Sequence, residues 1–270
     1  MDSASDPYPN DDHASLQDEH LKLYGLIGKS LTHSFSQKYF LSKFKNEELE
    51  DHYYALFPLD DIDDIRLLLE VHKNLKGLNV TIPYKESVIP YLDELDPVAA
   101  EIGAVNCIYM DDFEKKGYNT DWLGFRDSIF PLLRAADKNA LVLGAGGSSK
   151  AVCYALKQLG LSYKVVSREA GKSDLTWDML TTEVIAQHTV IINTTPVGMW
   201  PDADAMPPVP IDAISPQHIC FDLIYNPEQT RFLQEAASRG AVTSNGQQML
   251  ELQAAHAWKI WNTPIEEKEE

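Results

Sequence analysis

In LVLGAGGSSKAV, residues 141–152, Gly144, Gly146 and Gly147 stand between an apolar run and a stretch that reads as a helix. Glycines at such a turn let the backbone approach a pyrophosphate, and the helix N-terminus offers N–H groups and the positive end of a dipole. The third fingerprint position holds Ser149, a small residue. An ordinary strand-to-helix turn can also carry a bare G-x-G; the strand before and the helix after favour a dinucleotide site. The next strand ends VVSRE. Enzymes that use NAD place a carboxylate there to hold the ribose 2′-hydroxyl. This chain has Ser167, then Arg168, whose guanidinium suits a 2′-phosphate and can also stack on adenine. Lys172 adds a second cation and Glu169 opposes both. The plain alternative for Arg168 is a surface arginine.

A second candidate lies in GLNVTIPYKE, residues 77–86. Leu78, Val80 and Ile82 alternate with Asn79 and Thr81, the pattern of a half-buried strand. Pro83 ends the ladder because it has no N–H, and Lys85 stands two residues on. On residue type alone, Lys85 reads as a solvent-exposed lysine.

The elements that must position these residues fall into two textures. Residues 22–28, 51–59 and 77–83 read as strands, and 36–46, 59–74, 86–95 and 97–104 as helices. VNCIYM and KKGYNTD read as a hairpin. A cleaner alternation follows: a helix over 122–136 that runs through Pro131, a strand and glycine turn over 139–147, then strands at 162–168, 188–196 and 218–227. Helices at 148–160 and 230–240 separate strands of this second set. Alternating strands and helices predict parallel βαβ units, so the fold class is α/β.

The net charge of −18 argues against a nucleic-acid partner. Residues 1–20 carry six acids and no Lys or Arg, and the last seven residues carry four acids and one Lys. Both ends read as solvated tails. No apolar run approaches the length of a membrane span, and the N-terminus lacks the pattern of a signal peptide. Cys107, Cys153 and Cys220 are spaced neither as a disulfide framework nor as a zinc site. They read as buried reduced thiols of a cytoplasmic protein. The histidines, His33 and His256 among them, show no ligand spacing, so no metal is expected.

HSFS, GLNVTIPYKE, GAVN, YNTDWLGF, LGAGGSS, VSR, INTTPVGM, FDLIYNP and LELQAAHAWKIW occur in the order found in shikimate dehydrogenases. From Lys22 to Trp261 the chain resembles that family. The resemblance implies a substrate domain over 21–121, to which 246–263 returns, and a Rossmann-type NADP domain over 122–245. The reaction would lie in the cleft between them, with acidic tails at 1–20 and 264–270.

It also implies a role for Lys85, which matches the family's catalytic lysine, and for Asp121, which matches its aspartate partner. Reduction of a ketone needs a hydride from a nicotinamide and a proton for the developing alkoxide, which an ammonium can donate. By the same resemblance, Ser34 and Ser36 match the serine pair that binds the substrate carboxylate. Asn79, Thr81, Asn106, Tyr225 and Gln253 match the polar groups around the ring. Gly144, Ala145, Gly146, Gly147 and Ser148 should meet the pyrophosphate, and Ser167, Arg168 and Lys172 the adenosine end. Thr194, Leu223 and Gly246 should lie near the nicotinamide.

Four positions depart from the family pattern: Gln37 follows the serine pair, Ser167 and Glu169 flank the cofactor arginine, and Gln248 replaces a glycine. The expected activity is NADP-dependent reduction of 3-dehydroshikimate by a monomer or homodimer. An NAD-using quinate/shikimate dehydrogenase and a non-catalytic metabolite-binding paralogue are the alternatives.

Overall fold

The computed structural model describes residues 15–31, 34–169, 171 and 173–263. The expected acidic tails therefore lie largely outside the described residues. The described residues divide into two compact units, one within 15–95 and 105–118, the other within 96–104 and 119–263.

The first unit is built on β1 (Lys22–Gly28), which is buried from its second residue onward. Strands β2 (His52–Pro58) and β3 (Leu75–Val80) pair with it on either side, both parallel. Parallel neighbours need crossovers. Helix α1 (Phe35–Asn46) supplies one, and α2 (Ile65–Val71), entered through a 3₁₀ turn at Ile62–Asp64, the other. Phe40 and Phe44, one turn apart on α1, face inward, and Phe40 stacks on Tyr54 with ring centroids 4.7 Å apart. Beyond β3 the sheet becomes mixed. β4 (Glu94–Leu95), β5 (Cys107–Met110) and β6 (Lys115–Tyr118) complete the order β2-β1-β3-β5-β6-β4. β5 is antiparallel to both β3 and β6, so the expected hairpin is present.

Two expectations in this unit are corrected. β3 is buried from Gly77 to Val80 rather than on alternate residues, because it is an interior strand of the sheet. Ile82, expected inside, lies beyond the strand and is 69% exposed. The helix expected over 86–95 is instead a run of turns, a 3₁₀ segment at Ile89–Tyr91 and β4. Pro90, in its middle, cannot donate the hydrogen bond that an α-helix requires.

The second unit begins with α3 (Pro97–Ile102), N-capped by Asp96. Helix α4 (Asp121–Ile129) stops before Pro131, and a 3₁₀ turn at Phe130–Leu132 replaces its expected continuation. There follow β7 (Asn139–Leu143), α5 (Gly147–Gln158), β8 (Ser162–Ser167), β9 (Leu175–Thr176), α6 (Thr182–Gln187) and β10 (Val190–Asn193). The unit closes with β11 (Ile219–Asp222), α7 (Arg231–Ser238), β12 (Val242–Ser244) and α8 (Gln247–Asn262).

All six strands of the second sheet are parallel, in the order β12-β11-β10-β7-β8-β9. Successive residues serve opposite faces. Ala140, Val142, Val190, Ile192, Ile219 and Phe221 pack with α4 and α5. Leu141, Leu143, Ile191 and Cys220 pack with α6 and α7. This is the expected doubly wound sheet, with its topological switch between β7 and β10, where ligands of such sheets bind beyond the strand ends.

Candidate functional site

In the first unit three of the expected substrate residues, Ser36, Asn79 and Asn106, share one hydrogen-bonded chain through Tyr54. Ser34 N-caps α1, accepting from Gln37 N at 3.3 Å. Ser36 is buried and hydrogen-bonds Tyr54, whose hydroxyl donates to Asn79 Oδ1 at 2.8 Å. Asn79 Nδ2 donates to the Asn106 carbonyl at 3.2 Å, which also takes Val80 N at 2.9 Å. Burial holds the Tyr54 hydroxyl well above its ordinary pKa, so it stays a neutral donor.

Thr81 follows directly, with its N–H on the Ile27 carbonyl at 2.9 Å. A Cβ at Gly28 would lie 2.5 Å from Thr81 Cγ2, so that glycine makes room for the threonine. Lys85 is half-buried on the turn beyond. Its carbonyl accepts from Val105 N at 2.7 Å, and the neighbouring Tyr84 donates its hydroxyl to Leu59 O at 2.7 Å. The backbone under Lys85 is thus tied down on both sides.

In the second unit Asp121 is buried in the first turn of α4, where a carboxylate suits the helix dipole. Asn119, just before it, donates to Ala104 O at 2.9 Å. Thr120 Oγ1 lies 3.5 Å from Gln253 Oε1 on α8. The two helices meet at Gly124, where a Cβ would stand 2.6 Å from Met249 O and 3.0 Å from Gln253 N. Asp121 and Gln253, expected in one site, are therefore carried on helices in close contact. Tyr225 is half-buried, and burial raises its hydroxyl.

The glycine turn sits at the switch point. Gly144 has φ +114°, a conformation that favours glycine, and a Cβ there would stand 2.6 Å from Thr194 Oγ1. Thr194 bonds the Leu143 carbonyl through its N–H at 2.9 Å and its hydroxyl at 2.8 Å. Ala145 and Gly146 are exposed, and a Cβ on Gly146 would meet nothing within 4 Å. Gly147 and Ser148 open α5, and Ser149 is buried, closing the turn onto Gly146 O at 2.6 Å. This open turn, with a 12-residue helix behind it, fits a bound pyrophosphate.

At the end of β8, Ser167 Oγ holds Glu169 N at 3.1 Å and Ser173 Oγ at 3.0 Å. Arg168 is exposed, and among the described residues no carboxylate pairs with it. Lys172 lies outside the described residues. Leu223 and Gly246 come together: Gly246 N donates to Ile224 O at 3.1 Å, and a Cβ on Gly246 would stand 2.0 Å from Leu223 O. Among the described residues no cluster of His, Cys, Asp or Glu could hold a metal, and no helix is long and apolar enough to cross a membrane.

Residues 26–108 match the family model described as the shikimate dehydrogenase substrate binding domain. Over 256 residues the chain is 36% identical to a shikimate dehydrogenase (NADP(+)) of Methanosphaera stadtmanae, covering 88% of this chain and 90% of that one. The chain belongs to the shikimate dehydrogenase family. Solved structures agree. The shikimate 5-dehydrogenase of Thermus thermophilus in complex with NADP(H) and shikimate superposes with a TM-score of 0.79 at 30% identity, covering 90% of this chain and 94% of that one. The quinate dehydrogenase of Corynebacterium glutamicum in complex with NAD gives a TM-score of 0.80 at 26% identity, with coverage of 90% and 94%.

Against that family the sequence motifs were informative about residues at strand ends and turns. They assigned no role to Tyr54, Tyr84 or Asp222. Asp222 is fully buried at the end of β11, and burial raises its carboxyl to about 6. Its physical signal in the sequence was a charged residue closing an apolar strand, ICFD, which is costly without partners.

Proposed function

We propose that this protein is an NADP-dependent shikimate dehydrogenase that interconverts 3-dehydroshikimate and shikimate in chorismate and aromatic amino-acid biosynthesis. The observation that carries the reading is identity of 36% across nine-tenths of a relative named for that activity and for NADP(+). When bound, NADPH supplies the hydride. The chain's own groups do the rest in this reading. Lys85 donates a proton to the alkoxide oxygen, and Asp121 takes a hydrogen bond from a substrate hydroxyl. Ser34 and Ser36 hold the substrate carboxylate. Asn79, Thr81, Asn106, Tyr225 and Gln253 hold the ring.

Residues 144–148 cradle the pyrophosphate, and Ser167, Arg168 and Lys172 hold the adenosine end. Thr194, Leu223 and Gly246 serve the nicotinamide. The reading places the enzyme in the cytoplasm, where its three buried thiols stay reduced. It acts there as a monomer or homodimer, without nucleic acid.

A second reading, an NAD-using quinate/shikimate dehydrogenase, is favoured by the likeness to the Corynebacterium quinate dehydrogenase and by Ser167 and Glu169 beside Arg168. One assay separates them: initial rates with shikimate and quinate, each against NADP+ and NAD+. Fast turnover only with shikimate and NADP+ is expected. Equal rates with quinate and NAD+ favour the second reading. Tight shikimate binding with no turnover in any arm points to a metabolite-binding paralogue.

A further inference from the structure

Two fully buried polar side chains close neighbouring strands of the second sheet. Asn193 ends β10 and Asp222 ends β11, opposite each other in register. Asp222 Oδ1 accepts from Asn193 Nδ2 at 3.0 Å and from Ile224 N at 3.1 Å. Its Oδ2 accepts from Thr230 Oγ1 at 2.7 Å. Asn193 Oδ1 in turn accepts from Thr195 N at 3.0 Å and Thr195 Oγ1 at 2.6 Å. Thr230, also buried, N-caps α7 by taking Leu233 N at 3.4 Å. One carboxylate therefore gathers the exit of β10, the exit of β11 and the start of α7.

Stability alone does not call for this arrangement. Replacing a buried polar group and its partners by apolar groups of the same shape is often neutral or stabilising. What the network does is flank two residues. Thr194 lies between Asn193 and Thr195, and Leu223 between Asp222 and Ile224. Both are held by backbone on their other side as well, Thr194 by Leu143 O and Leu223 by the β10 bond from its N–H to Asn193 O at 2.9 Å. A hydrogen-bonded carboxylate fixes direction where apolar packing fixes only volume.

We infer that Asp222 is a positioning residue for the nicotinamide half of the cofactor site, setting through Asn193 and Thr230 the loops that carry Thr194 and Leu223. The inference rests on the cofactor reading given above. Asp222 itself touches no reacting atom.

Calorimetric titration of NADP+ and of 2′,5′-ADP, which has the adenosine half but no nicotinamide, tests it. Wild-type protein that binds neither ligand defeats the cofactor reading itself. With wild-type binding in place, Asp222→Ala should weaken NADP+ at least about tenfold, the scale of one charge-assisted hydrogen bond, and move 2′,5′-ADP by less than about twofold. Asp222→Asn, which keeps an acceptor oxygen for Asn193 and Ile224, should fall between the two. Unchanged NADP+ affinity, or equal weakening of both ligands, overturns the inference. Should Asp222→Ala not fold, the same ratio is read in Asp222→Asn and Thr230→Val. A ratio unchanged in both overturns it equally.

Discussion

Polar side chains run through the interior of the first sheet, whereas in the second they gather at the strand exits. Ser36, Tyr54 and Asn79 form a buried relay from a helix through one strand to another, ending on the Asn106 carbonyl. Strands β10 and β11, in contrast, are apolar on both faces until their last residues, and β7 is apolar from Ala140 to Leu143. A parallel sheet covered by helices on both sides leaves polar groups little room except beyond its carboxyl ends. β3 is as buried, yet it accepts Asn79 because both ends of that amide find partners. In the first unit, then, the groups of the proposed substrate site share bonds with the interior. In the second the groups of the proposed cofactor site lie at strand exits and turns, and there, Asp222 apart, function should separate from stability.

The largest effect should come from a residue that breaks the pattern. Lys85 belongs to the first unit but stands on a turn, and its tie to Val105 uses the backbone carbonyl. Lys85→Ala should lower kcat about 10²- to 10⁴-fold, the range for a positioned acid–base group. Its unfolding free energy should stay within about 0.5 kcal/mol of wild type. Asp121→Asn should also lower kcat. Near-normal turnover in Lys85→Ala would remove that lysine from the chemistry.

Asp222 is the exception in the second unit, and pH exposes it. Its folded carboxyl titrates at about 6, above the ordinary 3.8, because burial disfavours the charge. The folded protein therefore keeps a proton that the unfolded chain releases between about pH 4 and pH 6, so this group lowers stability as pH rises through that window. Asp222→Asn lacks that dependence. Its stability relative to wild type should rise by up to about 3 kcal/mol between about pH 4 and pH 7 in paired denaturant titrations. A flat difference would mean that Asp222 is ionised throughout.

Arg168 should show function cleanly detached from stability. It is exposed, and a guanidinium bonds a phosphate bidentately, so it should outweigh the screened charge of Glu169. A preference for NADP+ over NAD+ of about 10²-fold in kcat/KM, about 2.7 kcal/mol, should largely vanish in Arg168→Ala at an unchanged melting temperature. Equal losses with both cofactors would leave Arg168 only stacking on adenine.

The serine pair should show the opposite coupling. Ser34→Ala and Ser36→Ala should each raise KM for shikimate, since in the proposed reading each deletes a hydrogen bond to a charged group worth about 1.5–3 kcal/mol. Ser36→Ala also strips a partner from Tyr54, and Ser34→Ala removes a helix cap, so each should cost about 1 kcal/mol of stability. Raised KM without lost stability would erase the contrast between the two units.

What could be read beforehand divides along physical lines. The bounds of β1, the glycine turn and the β5–β6 hairpin were legible because each is written in local pattern. The relay through Tyr54 was not, because the sequence separation of 25 residues between Tyr54 and Asn79 closes only when β1 seats between β2 and β3. Asp222 was opaque for the same reason, its partners arriving from β10 and α7. Pro90 and Pro131 misled in another way: their apolar surroundings keep helical spacing while the missing N–H forbids the helix. The match of Lys85 and Asp121 to family motifs came from resemblance, for nothing in a half-buried lysine after a strand announces a proton donor.

Gly146 shows what a screen for heat tolerance would do to such a protein. Unlike Gly144, it has an extended backbone, φ −88° and ψ −176°, that any residue adopts, and open space where a side chain would go. It also occupies the N-cap of α5, where serine outranks glycine. Directed evolution judged only on surviving heat would thus be drawn toward Gly146→Ser, and would fill the opening through which, in the proposed cofactor reading, a pyrophosphate reaches the helix. The glycine is a small concession in robustness that the empty protein has no reason to make; its beneficiary is the molecule that has yet to arrive.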